Sequence, residues 1–148
     1  MMSSIRDPAS GDAPQVVALD TVAAAGDGER RASIERWIAG GLMRVAVAAD
    51  EIIVGYCDTE RAFFGQWFTG MLMVAEGARG QGIGAELLLD AQRQRDTAKL
   101  FTSTNLSNQP MQRLLACLGW RSVGIVYGLD EDDPEVFYLV PRATTGLS

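Results

Sequence analysis

One stretch limits what this chain can become: Met71-Leu72-Met73-Val74-Ala75-Glu76-Gly77-Ala78-Arg79-Gly80-Gln81-Gly82-Ile83-Gly84-Ala85-Glu86-Leu87-Leu88-Leu89. It reads as strand, loop and helix. The apolar run Met71 to Val74 is short and bounded by Gly70 and Gly77, as a buried strand is. Gly80, Gly82 and Gly84 alternate with Gln81 and Ile83 and leave one side of the backbone clear of bulky side chains. From Ile83 the apolar residues Ile83, Leu87, Leu88 and Ala91 fall at the spacing of a helix with one buried face. The first amides of such a helix have no intrahelical acceptor and attract anions, phosphate above all. Arg79 adds a permanent positive charge at the mouth.

The loop fits neither common nucleotide motif. No Gly-Lys-Ser/Thr follows, so it is not a P-loop, and the third glycine comes one residue too early for the dinucleotide fingerprint. Packing alone also produces glycine-rich strand–helix turns.

The flanking sequence supplies a single mixed domain of 148 residues, long enough for a proper core. Residues 3–6 suggest a first strand ended by Asp7-Pro8. A helix opens near Ala13-Pro14, capped by Ser10 or Asp12, with Val16, Leu19 and Ala23 on one face. Gly26-Asp27-Gly28 breaks the chain before a second helix over 29–39. Residues 43–47 alternate as a half-buried strand, and a second strand from Ile52 extends toward Arg61, completing a hairpin. Phe63-Phe64-Gly65-Gln66-Trp67-Phe68 forms an aromatic corner before the strand that ends at Val74. After the helix from Ile83 to Gln94 comes a strand over 99–104, and strand–helix–strand order favours parallel pairing. Met111, Leu114, Leu115 and Leu118 form a helical stripe stopped by Gly119. Strands over 120–127 and 136–140 flank an acidic loop. The ends alone look loose.

Composition narrows the chemistry. The net charge of −6 argues against a protein that coats nucleic acid. No apolar run is long enough for a membrane span, and residues 1–9 do not resemble a signal peptide. The expected setting is cytoplasmic, with Cys57 and Cys117 reduced. The chain has no histidine, so no metal site is expected, and any general base must be a carboxylate, tyrosine, thiolate or water chain. A homodimer is the general expectation for a soluble chain.

The string Arg79-x-x-Gly82-x-Gly84, after an apolar strand and before an amphipathic helix, resembles the acyl-CoA pyrophosphate loop of the GNAT superfamily of N-acetyltransferases. Ser107-Asn108, followed by a short helix and Leu118-Gly119-Trp120, resembles that family's Ser-Asn…Leu-Gly-Phe signature. The element order matches from about Ile5 to Val140. The resemblance implies an α/β (α+β) fold: a mixed, mostly antiparallel seven-stranded sheet, about four helices, and two central parallel strands that splay. It further implies acetyl-CoA as cosubstrate and direct acetyl transfer to an amine, of a small molecule or a protein. Backbone groups of Met73 and Val74 would meet the pantetheine arm, and the Val74 N–H would serve the thioester oxygen. Amides of Gly80, Gln81, Gly82, Ile83, Gly84 and Ala85 would hold the pyrophosphate beside Arg79. Asn108, and less directly Asn105, would contact the arm; for Asn108 a helix cap is the alternative.

Two departures bear on catalysis. The tyrosine many members carry in the helix after Ser-Asn is Leu115 here, and the strand position where some carry a glutamate is about Phe68. Tyr127 is the nearest substitute acid, with packing as its alternative. Glu60 is the preferred base, with Asp58 in reserve; a solvated strand-end charge is the other reading of Glu60. Phe63, Phe64, Trp67 and Phe68 could wall the acceptor site or be ordinary core. Asp130, Glu131, Asp132, Asp133 and Glu135 could draw in a cationic amine or be a solvated charge run. The missing acid and base leave a second reading open, a non-catalytic acyl-CoA-binding or regulatory module on the same fold.

Overall fold

The computed structural model describes residues 3–94 and 99–141; the loose ends read from the sequence, residues 1–2 and 142–148, lie outside them. The elements are β1 (Ser3–Arg6), α1 (Ala13–Leu19), α2 (Thr21–Ala24), α3 (Gly28–Ala39), β2 (Met43–Ala48), β3 (Ile53–Phe63), β4 (Gln66–Val74), α4 (Ile83–Gln94), β5 (Lys99–Asn105), α5 (Gln109–Cys117), β6 (Arg121–Val126) and β7 (Glu135–Pro141). The strands follow the sheet order β1-β2-β3-β4-β5-β7-β6, with β4 and β5 parallel. This is the mixed, mostly antiparallel seven-stranded sheet the resemblance implies, with five α-helices among the described residues.

The chain falls into two compact units. The first comprises residues 1–59 and 71–93, the second 60–70 and 94–148. In the first unit, Val16, Ile34, Trp37, Met43, Val45 and Tyr56 form the core. The expected first helix is broken in two at Asp20. That carboxylate accepts from the Val22 and Ala23 amides at 3.0 and 3.1 Å, so it caps a new helix, α2, instead of continuing α1. Asp12 does not cap α1 through its side chain; its carboxylate accepts from the Ala9 amide and Arg6. Asp20 also accepts from the Tyr56 hydroxyl at 2.5 Å and from Arg30. Burial alone would raise the Asp20 pKa, but the bonds from Tyr56, Ala23 and Arg30 outweigh it and hold the carboxyl below its ordinary range. Burial, then the bond to Asp20, pushes the Tyr56 hydroxyl up. β2 is covered on both faces, with Arg44 as its one position that is not buried, so it is not the half-buried strand its alternation suggests.

In the second unit, β3 runs past Arg61 to Phe63 and turns through Phe64 (φ 51°) and Gly65 (φ 78°). Two successive left-handed residues make the tight hairpin that matches strand twist. The parallel ladder pairs Trp67, Phe68 and Thr69 with Leu100, Phe101 and Thr102, and the Thr102 hydroxyl donates to the Thr69 carbonyl at 2.8 Å. β7 pairs with β5 from Lys99 to Asn105. β6 stops at Val126, short of Tyr127, and all six of its residues are exposed.

Candidate active site

In the first unit, β4 ends at Val74, a short turn spans Glu76–Ala78, and α4 starts at Ile83. Gly80 and Gly82 have φ of +80° and +82°, and a side chain at either would meet no heavy atom within 4 Å. The glycines are therefore required by the backbone path and not by crowding, and the space beside them is open. The residue before the helix is Gly82, whose carbonyl accepts the first intrahelical bond, from the Glu86 amide at 3.1 Å. Having no side chain, Gly82 cannot cap, so the amides preceding Glu86 keep their N–H groups for a ligand. Gly80, Gln81, Gly82 and Arg79 are exposed, and Arg79 Nε donates to the Val74 carbonyl at 3.2 Å.

The position of this helix start is fixed from below. Ile83, Leu87, Leu88 and Ala91 are buried, as their spacing predicts. A side chain at Gly55 of β3 would come within 3.0 Å of the Met73 carbonyl and 3.3 Å of both Ile83 and Leu87. Gly55 thus lets β4 and the first turns of α4 settle onto β3. The sequence reading missed its role; an isolated glycine inside an apolar strand was the signal. At the other end of α4, Asp90 accepts from Arg44 Nε and Nη2 at 2.8 and 3.1 Å. That hydrogen bonding raises the Arg44 pKa against the opposing effect of burial.

Strand alternation decides which backbone groups near Val74 face which way. The Ala75 amide donates to the Val54 carbonyl at 2.8 Å, and the Met71 amide donates to Asp58 Oδ1 at 2.7 Å. Both point toward β3. With a period of two, Met73 turns its N–H and C=O the same way, whereas Leu72 and Val74 turn theirs to the opposite edge. Leu72 and Val74 are therefore the residues of this segment whose backbone groups turn away from β3. Asp58, the reserve base, is 2 % exposed and serves a backbone amide.

The remaining candidates lie in the second unit. Glu60 is half-buried inside β3, not at its end. Asn108 caps α5: its Oδ1 accepts from the Met111 amide at 3.2 Å. Its amide nitrogen is the group left with which to meet a ligand. Asn105 Nδ2 donates to Asp130 Oδ2 at 3.0 Å and Glu135 Oε1 at 3.2 Å. Leu115 is fully buried, so the usual tyrosine position is a packing position here. Tyr127 is 76 % exposed and is not the buried strand residue of the alternative reading. None of Phe63, Phe64, Trp67 and Phe68 is buried. Among the described residues, no group of three or more Cys, Asp or Glu is placed to hold a metal ion, and no helix is long and apolar enough to cross a membrane.

A sequence profile of the acetyltransferase (GNAT) domain matches residues 40–122. The chain belongs to the GNAT acetyltransferase family. No curated protein matches it. Among solved structures, a GNAT-family acetyltransferase from Bacillus cereus ATCC 10987 is similar at 28 % identity and TM-score 0.89, over 97 % of this chain and 100 % of that one. YncA from Salmonella typhimurium, solved with its cofactor acetyl-CoA, aligns at 16 % identity and TM-score 0.75 over 97 % and 98 % of the two chains. A ribosomal-protein-alanine N-acetyltransferase from Brucella melitensis aligns at 23 % and 0.73 over 94 % and 99 %. The last two show the shared fold alone. This GNAT chain is an acetyltransferase enzyme. The glycine loop fits a diphosphate, since exposed helix-start amides, open space at Gly80 and Gly82 and a nearby guanidinium are what such an anion needs.

Proposed function

We propose that this GNAT enzyme acetylates a primary amine, holding the diphosphate of acetyl-CoA on the amides of Gly80 to Ala85 with Arg79 beside them. The single observation that carries the reading is the uncapped start of α4 at Gly82. Acetyl-CoA supplies an activated acetyl thioester when bound. The Val74 N–H, on the strand edge turned away from β3, is the donor for the thioester oxygen as it gains charge. Backbone groups of Leu72 and Val74 line the pantetheine arm. Glu60 is the carboxylate assigned to take a proton from the amine, which must be neutral to attack. With Leu115 in place of a phenol, proton delivery to the departing sulfur falls to water or to the amine itself.

Calorimetry with acetyl-CoA and thiol release over a panel of amines test this together. Binding with amine-dependent thiol release supports the proposal. Binding without release for any amine would favour the non-catalytic module. No binding would remove the assignment of the loop.

A further inference from the structure

The chain contains five phenylalanines, Phe63, Phe64, Phe68, Phe101 and Phe137, and all five meet in one group on the second unit. Phe63 stacks on Phe137 with ring centroids 5.4 Å apart and planes 14° apart. It also lies 5.1 Å from each of Phe64, Phe68 and Phe101. None of these rings belongs to the buried core. Four are half-buried and Phe64 is 91 % exposed. The rings pack on one another yet keep part of their surface accessible, and a contiguous accessible apolar patch of this kind marks a binding surface.

Register shows what borders them. On β5, Leu100, Thr102 and Thr104 are buried, while Phe101, Ser103 and Asn105 form the half-exposed face. Their β7 partners are Leu139, Phe137 and Glu135. Glu135 is thus two residues from Phe137 on the same face, a rise of about 7 Å. Its carboxylate is held in place: Oε2 accepts from Ser103 Oγ at 2.6 Å and Oε1 from Asn105 Nδ2 at 3.2 Å. Asp133 accepts from the Ser107 amide and hydroxyl, and Asp130 from Asn105. Among the described residues every one of these donors is neutral, so the carboxylates beside the rings are oriented by uncharged partners.

We infer that this face binds a small molecule and that its ligand class is an arylalkyl primary amine, with the ring on the Phe63–Phe137 group and the ammonium at Glu135. The inference rests on the amine-acetyltransferase reading for its chemistry but not for its binding. Acetylation of the ammonium releases two protons: one passes to Glu60 and on to solvent before attack, and the other ends on the departing thiol. The amine nitrogen bonds to the acetyl carbon as the carbon–sulfur bond breaks.

The test measures binding of 2-phenylethylamine by calorimetry without acetyl-CoA, against propylamine, which has charge but no ring, and 2-phenylethanol, which has a ring but no charge. We expect 2-phenylethylamine to bind on the order of tenfold more tightly than either. Glu135→Gln should bring it to the level of the alcohol and leave the alcohol unchanged. Phe137→Leu, which keeps apolar volume, should weaken both ring-bearing probes several-fold. Far-UV circular dichroism confirms that each variant is folded. Equal affinity for the three probes, or variants that leave 2-phenylethylamine binding intact, would overturn the inference. Selective binding without acetylation would instead uphold the site and overturn the catalytic reading.

Discussion

Two helix starts in this chain have been built for opposite ends. At α5, Asn108 turns its side-chain oxygen onto the Met111 amide and Pro110 removes another donor from the first turn. The helix start satisfies itself. At α4, the residue in the same position is Gly82, and its only contribution is a backbone carbonyl to Glu86. The two carbonyl bonds match, Gly82 to Glu86 and Asn108 to Gln112, at 3.1 and 3.2 Å. What differs is the capping side chain and the proline in the first turn. The comparison teaches that a helix start becomes an anion site when its own sequence withholds the cap, and that neighbouring packing must then hold it still.

The largest effect should come from placing an anion at α4. Gly82→Asp puts a carboxylate where a diphosphate should sit and strains a backbone at φ +82°. Affinity for acetyl-CoA should fall on the order of 100-fold, about 2.7 kcal/mol, and the cosubstrate should no longer raise the melting temperature. Gly55→Ala attacks the support instead. Its new methyl would press on the Met73 carbonyl at 3.0 Å, and backbone gives way less readily than a side-chain tip. A loss of about 1–3 kcal/mol in denaturant unfolding is expected, with weakened acetyl-CoA binding in the protein that remains folded. Unchanged stability would mean that α4 does not depend on that close approach.

At α5 the expected effects are smaller and separable. Asn108→Ala removes the cap and should cost about 1 kcal/mol, or about 2–4 °C in melting temperature. Asn108→Asp keeps the cap but lacks the donor nitrogen, so it should leave stability intact and lower acetyl-CoA affinity several-fold. If Asp binds as well as Asn, the residue is a cap alone. The start of α2 supplies a titratable version of the comparison. Asp20 caps it as a carboxylate whose pKa is held below the ordinary value. A depressed folded-state pKa contributes stability above the unfolded value, about 3.9, and loses it as pH falls further. Melting temperature should therefore drop on acidification below about pH 4, and Asp20→Asn should flatten that part of the profile.

The α4 site was legible because glycine, helical periodicity and a guanidinium each leave a local mark: Gly80 to Gly84, then Ile83, Leu87, Leu88 and Ala91, with Arg79 before them. The order of strands and helices along the chain followed from the same local signals. What escaped depended on distant partners. Asp20 looked like an ordinary residue within one helix until Tyr56 and Arg30 were seen to meet it. Gly55 gained its role only from where Ile83 and Leu87 came to rest. The direction of the Met73 backbone depends on strand phase, which is fixed by Ala75 donating to Val54. The phenylalanines were noticed only where they are adjacent in sequence; Phe101 and Phe137 join them through β5–β7 register, which no local pattern announces.

The most direct measurement follows backbone amide resonances while acetyl-CoA is added to the full chain. The account predicts large shifts at Gly80, Gln81, Gly82, Ile83, Gly84 and Ala85, with the Met111 amide, already bonded to Asn108, nearly still. Saturable binding that leaves the amides of residues 80–85 unmoved would contradict it.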